Sequence, residues 1–320
     1  MTVGLPRTVR VHAPAKVNPT LAVLGRRDDG YHEVDTTMVM LDVSDVVTLT
    51  LRSGAGPGRV RVHGPAATED VPTDDSNLAV RALRLALEGL PPTRGVAIDL
   101  DLEKHVPSQA GLGGGSSDAA AVLRGVELLL GHRLGAAERV ALLAGLGADC
   151  VFFDAAVETG AGRATGIGER LATGAAPAWH VAVVTPEAAC PTGAIYGALE
   201  LDADRQVEPS EASGRVLGLS AAAARGVLFN DLERAALRAV PELRAWRSLL
   251  DELGGKDARI AAFRLSGSGS SWFGLAENAD EAGHLLEGVT EAAHRRGLAI
   301  RGAFATTVAA PAPPAEVGEG

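Results

Sequence analysis

Apolar and polar residues alternate in Thr8-Val9-Arg10-Val11-His12-Ala13, in Val46-Val47-Thr48-Leu49-Thr50-Leu51 and in Val60-Arg61-Val62. Successive side chains of a strand face opposite ways, so these three segments predict half-exposed strands, with Gly54-Ala55-Gly56-Pro57-Gly58 as a turn between two of them. Residues 64–76 are polar, contain prolines and read as a loop. At Asn77 the period changes: Leu78, Ala82, Leu85 and Ala86 share one face of a helix running to Gly89, with Ser76 or Asn77 placed to cap it. Val96 to Leu102 alternates again. The run Gly111 to Gly115 breaks all periodicity, and Ser116-Ser117-Asp118 can cap a helix whose stripe Val122, Val126, Leu129, Leu130 ends at Gly131. A second helix is predicted over 136–146.

A glycine-rich stretch (160–168) and an Ala-Pro segment (174–178) precede a strand at Val181–Val184, which predicts a domain boundary between residues 173 and 174. The second half predicts helices over 231–240 and 242–253 and a strand over 259–265. A small-residue loop follows, Ser266-Gly267-Ser268-Gly269-Ser270-Ser271, then a helix over 280–296 and a strand over 299–308. Residues 309–320, rich in Ala, Pro and Gly, are expected to be disordered.

Composition narrows the class. A chain of 320 residues can fill two domains, and with 46% apolar but only 3% aromatic residues its core must be built from Ala, Val and Leu. The first ten residues lack an apolar leader, no uncharged apolar run is long enough to span a bilayer, and two cysteines make no ligand cluster; a cytoplasmic, reduced protein without a structural metal is expected. A formal net charge of −10 disfavours nucleic acid and anionic membranes as partners. Of 30 basic residues only Lys16, Lys104 and Lys256 are lysines. In so arginine-rich a chain, a lysine suggests a place that needs a compact point charge.

The segment Pro107-Ser108-Gln109-Ala110-Gly111-Leu112-Gly113-Gly114-Gly115-Ser116-Ser117 lies between a strand and a helix. Glycines there let backbone N–H groups approach a ligand, and the helix directs its positive end at the same spot, which together predict a phosphate site. No Lys-Ser/Thr pair follows the glycines and no acidic residue ends a second strand at the dinucleotide distance, so neither a Walker loop nor a nicotinamide fingerprint fits. Three other segments are ambiguous singly. Lys16 in Ala13-Pro14-Ala15-Lys16-Val17-Asn18 reads equally as a solvated charge, Asp149 in Leu146-Gly147-Ala148-Asp149 as a turn residue, and Ser266–Ser271 as a tight turn.

In their order and spacing these segments resemble the signature motifs of the GHMP kinase superfamily. Within it the chain is similar to the diphosphocytidyl-methylerythritol kinases, on Ala13–Asn18, Gly25-Arg-Arg-Asp-Asp-Gly-Tyr-His-Glu33, Leu146–Asp149, Asn230-Asp-Leu-Glu233 and Leu265–Gly269. The resemblance runs from about Val9 to Val308. It implies an α+β, two-domain GHMP kinase fold: a ribosomal S5 domain 2-like N-terminal domain (1–173) that binds nucleotide, and a ferredoxin-like C-terminal domain (174–308). It implies ATP-dependent phosphorylation of the 2-hydroxyl of 4-diphosphocytidyl-2-C-methyl-D-erythritol in non-mevalonate isoprenoid biosynthesis. Lys16 and Asp149 would be catalytic, Pro107 to Ser117 would bind ATP with Mg²⁺, and Asn18, Tyr31, His32 and Tyr196 would bind the cytidine diphosphate-linked polyol. Tyr31 and Tyr196, the only tyrosines, would sandwich the cytosine. The protein would be a monomer or homodimer. Alternatives are a GHMP kinase for another small alcohol, which Asp29-Gly30-Tyr31-His32 disfavours, and a non-catalytic nucleotide-binding relative, which would not need both Lys16 and Asp149. Three departures stand out: Pro19-Thr20 predicts a bend after Lys16, Cys150-Val151-Phe152-Phe153 lacks the proline of the family's Val-Pro-Phe-Phe after its aspartate, and the 158–169 segment is atypical around Arg163.

Overall fold

The computed structural model describes residues 8–54, 56–68, 71–89, 96–201, 213–309 and 313–318. Two long strands, β1 (Thr8–Arg26) and β2 (His32–Ser53), pair antiparallel and form the spine of the first sheet. Both run well beyond the segments that alternation picks out, because Pro14 and Pro19 interrupt the pattern in β1. Neither proline can donate to the ladder, and the register shifts between Pro14 and Lys16 and again between Val17 and Thr20. The bend expected after Lys16 is the second of these shifts. Such irregularities re-aim side chains; the first immediately precedes Lys16 and the second spans Asn18.

The inner half of β2 pairs with β4 (Val96–Glu103), which carries β3 (Gly56–His63) at the sheet's edge. Its outer half pairs with β5 (Gly160–Gly166), which returns as β6 (Arg170–Ala175). The glycine-rich stretch is therefore mostly a strand. Its small residues admit a close neighbour, since a Cβ on Gly162 would lie 2.9 Å from Leu171. Helices α1 (Leu78–Gly89), α2 (Gly114–Leu130), α3 (Ala136–Leu146) and α4 (Ala148–Ala155) close the first core over Val9, Val11, Met40, Leu49 and Leu100.

The second sheet is antiparallel and built from β7 (His180–Pro186), β9 (Arg264–Leu265), β10 (Trp272–Ala276) and β11 (Ile300–Thr307), in the order β11-β7-β10-β9. Between β7 and β9 come α5 (Thr192–Gly197), α6 (Ala221–Arg225), the two-residue strand β8 (Phe229–Asn230), α7 (Leu232–Ala239), α8 (Leu243–Gly254) and α9 (Ala258–Ala261). Helix α10 (Ala279–Arg295) links β10 to β11, which completes a β-α-β-β-α-β ferredoxin-like arrangement. A second core, centred on Trp246, Leu250, Phe263 and Trp272, lies under these helices. A third joins the two sheets through Ala15, Val17, Leu41, Val181, Val183 and Phe273.

Three expectations need correction. The segment 259–265 opens in the short helix α9, because the Asp257 carboxylate accepts the Arg259 N–H at 2.9 Å and Ala258 and Ala261 favour the helix; only Arg264 and Leu265 are strand. Part of the segment expected to be disordered is ordered, since β12 (Glu316–Gly318) pairs with Thr8–Arg10. The predicted boundary at 173/174 falls inside β6, the second sheet begins at His180, and β8 crosses back to pair parallel with Thr20 and Leu21 of β1. Among the described residues no helix is long and apolar enough to cross a membrane.

Candidate active site

A cleft of about 440 Å³ opens between the two sheets, lined by β1, the β4–α2 loop, the start of α4, α5 and the β9–β10 loop. Gly111 and Gly113 shape its floor, both with φ +73°. A Cβ on Gly111 would lie 2.0 Å from the Ser266 carbonyl oxygen, and one on Gly113 would lie 2.8 Å from the Phe153 ring. The two glycine loops are thus in backbone contact, and Ser266 Oγ donates to the Gly111 carbonyl at 2.8 Å. Because Gly113 adopts the left-handed conformation, α2 begins at Gly114, two residues earlier than the serines suggest. No side chain caps this helix terminus, so its N–H groups face the cleft with the positive end of the dipole behind them.

Lys16 projects from β1 between the register shifts and is buried. Its ammonium donates to Asn18 Oδ1 at 2.6 Å and to the Gly111 carbonyl at 2.8 Å, and stands 3.6 Å from Asp149 Oδ2. Two of its three protons have hydrogen-bond acceptors, and the third is left for the ion pair with Asp149. Burial lowers the Lys16 pKa, and Asp149 opposes the shift. Asn18 is held by its own donation to Thr36 Oγ1 at 2.9 Å. Asp149 sits in the first turn of α4, partly exposed to the cleft. A cation, a carboxylate and a helix N-terminus converge on one space, an arrangement that can hold a phosphate chain and accept a proton from a hydroxyl beside it.

The family description "GHMP kinases N terminal domain" matches residues 77–159, and "GHMP kinases C terminal" matches residues 214–295. The chain is 38% identical over 276 residues to the 4-diphosphocytidyl-2-C-methyl-D-erythritol kinase of Thermus thermophilus, covering 86% of this chain and 90% of that one. To the enzyme of the same name from Polaromonas sp. it is 37% identical over 275 residues, covering 83% and 82%. The chain belongs to the 4-diphosphocytidyl-2-C-methyl-D-erythritol kinase family. A crystal structure of 4-(cytidine 5'-diphospho)-2C-methyl-D-erythritol kinase superposes with a TM-score of 0.69 at 35% identity, over 93% of this chain and 98% of that one. A homoserine kinase from Cytophaga hutchinsonii superposes with 0.67 at 18% identity, over 99% of each, which shows the shared GHMP kinase fold.

Against this family background, most of the predicted residues lie around one space. Lys16, Asn18, Pro107 to Gly111, Gly113 to Ser116, Asp149 and Tyr196 all line the cleft. Leu112 and Ser117 face the core instead. The two tyrosines do not face each other across an open slot. Tyr31 is 61% exposed, and it is the His32 ring that stacks on Tyr196, with centroids 5.0 Å apart. Tyr31 lies in the β1–β2 turn, its carbonyl accepting the Arg27 N–H, whereas His32 opens β2 and meets Tyr196. Burial, followed by the Arg26 charge, lowers the His32 pKa, which favours the neutral imidazole. Burial and the nearby Asp149 raise the Tyr196 phenol above its ordinary value. Arg163 is engaged by Asp35 in a two-point contact at 2.8 and 2.6 Å and does not line the cleft. Both cysteines are free, and burial pushes Cys150 up to about 12 and Cys190 up to about 11, so neither is a ready thiolate.

Sequence reasoning missed what lies beneath the glycine loop Pro107–Ser117. Lys104 is buried between Asp45 and Asp118, bonded to both, with 2.6 Å to Asp118. Asp45 also accepts the N–H groups of His105 (2.5 Å) and Val106 (2.8 Å), so it grips the backbone just before Pro107. Asp118, expected to help cap the helix, lies just past the first turn of α2 instead. One ammonium cannot neutralise two carboxylates. Burial, opposed by Lys104 and reinforced by Asp45, pushes the Asp118 carboxyl up to about 7. The scarcity of lysine was the available signal: two of the three, Lys16 and Lys104, are buried beside the cleft, while Lys256 is exposed.

Proposed function

We propose that this chain transfers the γ-phosphoryl group of ATP to the 2-hydroxyl of 4-diphosphocytidyl-2-C-methyl-D-erythritol. The observation that carries the reading is the Lys16–Asp149 pair, 3.6 Å apart and facing the start of α2 within one cleft. Phosphoryl transfer needs mainly positioning and stabilisation of charge. ATP phosphates dock on the backbone N–H groups at the start of α2. Asp149 takes the proton of the acceptor hydroxyl as its oxygen bonds to phosphorus, and the bond to the β-phosphate oxygen breaks, releasing ADP. Lys16 offsets charge on the group in flight and holds Asp149 in place.

Mg²⁺ accompanies the nucleotide in this reading. Ser116 and Asp149 both line the cleft, so a hydroxyl and a carboxylate border the space assigned to the phosphates. A phosphate-bound Mg²⁺ needs only one or two protein oxygens, and among the described residues no cluster of three His, Cys, Asp or Glu side chains forms a cage. Bound there, the ion supplies positive charge to the phosphates.

Gly115 tests the nucleotide assignment cleanly. It is exposed in the cleft, and a Cβ there meets only Leu78 at 3.9 Å, whereas at Gly114 it would press on Val106 and Asp45. Gly115→Val should therefore weaken ATP binding by about tenfold or more with an unchanged melting temperature, measured by calorimetry. Unchanged affinity would remove the phosphates from this loop.

The cytosine docks against Tyr196 where His32 now lies, with the displaced imidazole contacting the base edge and Tyr31 available at the rim to cover the outer face. Tyr196→Ala should then cost about 1–3 kcal/mol in binding of the cytidyl substrate, and Tyr196→Phe much less. ATP affinity should not move. Normal binding of the cytidyl substrate to Tyr196→Ala would place the base elsewhere. The remaining expectations, a place in isoprenoid precursor synthesis in the cytoplasm as a monomer or homodimer, follow from the substrate and family and belong to the same proposal.

A further inference from the structure

Asn230 stands outside the cleft lining, yet it is completely buried and all its side-chain polar atoms are committed. Its amide nitrogen donates to the Leu265 carbonyl at 2.8 Å and to the Gly267 carbonyl at 2.7 Å, spanning the neck of the Ser266–Ser271 loop. Its amide oxygen accepts the Leu232 N–H at 2.9 Å, which fixes which way the amide faces. The backbone around it belongs to the other sheet: Phe229 and Asn230 pair with Thr20 and Leu21 of β1, and the Asp231 N–H donates to the Leu21 carbonyl at 2.9 Å. Asn230 therefore fastens a loop of the second sheet to the strand that carries Lys16 and Asn18.

At its other end the loop presses on the reacting groups. A Cβ on Gly267 would lie 3.0 Å from Lys16 Nζ, 3.3 Å from the Gly111 carbonyl oxygen and 3.4 Å from Asn18 Oδ1. The Gly267 backbone is thus the wall against which the Lys16 ammonium is set, and the Asn230 amide holds that peptide's carbonyl from behind. We infer that Asn230 is a positioning residue for the phosphoryl transfer: by clamping Leu265 and Gly267 it holds the wall that aims Lys16 at Asp149 and the phosphate space. It touches neither substrate, so its removal should act on the chemical step and leave binding nearly intact.

The inference rests on the kinase reading, and the experiment separates the two. Turnover of ATP with the cytidyl substrate is measured for the wild-type chain and for Asn230→Ser, whose hydroxyl is too short to reach both carbonyls. The expected result is a fall in kcat of about 10- to 100-fold, with both KM values within about threefold. Asp231→Ala is the control. Its carboxylate accepts the Val23 N–H at 3.0 Å and anchors the same segment to β1, so its loss should lower the melting temperature and keep kcat within about twofold. Gly267→Ala, which pushes on Lys16 from the other side, should lower kcat too, and its effect should overlap with that of Asn230→Ser in the double variant instead of multiplying. If Asn230→Ser does not fold, Asn230→Asp takes its place; it keeps the volume and the Leu232 contact but sets an oxygen against two carbonyls.

The acylation rate of the Lys16 amine by a small amine-reactive reagent, followed by mass spectrometry, reads the wall without any turnover. It should rise several-fold in the Asn230 variant and stay at the wild-type rate in Asp231→Ala. Absence of wild-type turnover would count against the kinase reading alone, because this labelling still tests the clamp. The positioning role is overturned if the Asn230 variant keeps kcat within about twofold and Lys16 labels at the wild-type rate, or if Asp231→Ala loses as much kcat.

Discussion

Asp149→Asn should lower kcat by about 10²-fold or more while the KM for each substrate changes little. Asparagine keeps the shape of the side chain at the start of α4 and can still receive a bond from Lys16, but it cannot take the proton of an attacking hydroxyl. A positioned general base is worth about 10² to 10⁴ in rate, and the carboxylate is the group 3.6 Å from Lys16 Nζ that is open to the cleft. The loss should not be rescued by raising either substrate. Steady-state kinetics with both substrates varied checks this, and turnover surviving within a few-fold would make Asp149 a merely structural partner of the buried lysine.

Lys104→Met should destabilise the folded protein by about 3–5 kcal/mol, because it leaves two buried carboxylates without their cation. Urea unfolding should show the midpoint falling at unchanged slope. A loss below about 1 kcal/mol would mean that Asp45 and Asp118 find other partners. The same cluster gives stability a pH dependence. Asp118 keeps its proton in the folded state up to about 7, whereas in the unfolded chain it loses it near 3.8. Between those values the native state binds more protons, so this group makes stability fall as pH rises through the window. Asp118→Asn should flatten that dependence. The cluster sits against the glycine loop, with Asp45 Oδ2 3.3 Å from where a Cβ on Gly114 would be, so Lys104→Met should weaken ATP binding as well.

The parts of this molecule legible in the sequence were those whose signal is local. The glycine run, the opening of β1 and the helices with regular apolar stripes all follow from spacing and from the backbone freedom of glycine. Long-range geometry was not legible. Nothing local says that β1 continues through Pro14 and Pro19, because the register shifts that accommodate them depend on β2. The glycine-rich segment 160–166 becomes a strand only because β2 and β6 flank it. Asp118 looks like a capping residue until Lys104, fourteen positions earlier, claims it. Tyr31 and His32 are adjacent in sequence, and which of them meets Tyr196 is decided by where the β1–β2 turn ends and β2 opens. Asn230 carried a family motif but no legible task, since its bonds reach 35 and 37 residues away.

The central claim is tested most directly by ADP release from the purified chain supplied with ATP, Mg²⁺ and one alcohol at a time: 4-diphosphocytidyl-2-C-methyl-D-erythritol, homoserine or mevalonate. The cytidyl alcohol should give sustained turnover and a product phosphorylated at its 2-hydroxyl, with kcat/KM at least about 10³-fold above either control, since a site with a slot for a flat base leaves that slot empty with the smaller alcohols. Turnover of homoserine or mevalonate equal to that of the cytidyl alcohol, or none with the cytidyl alcohol itself, would contradict the account.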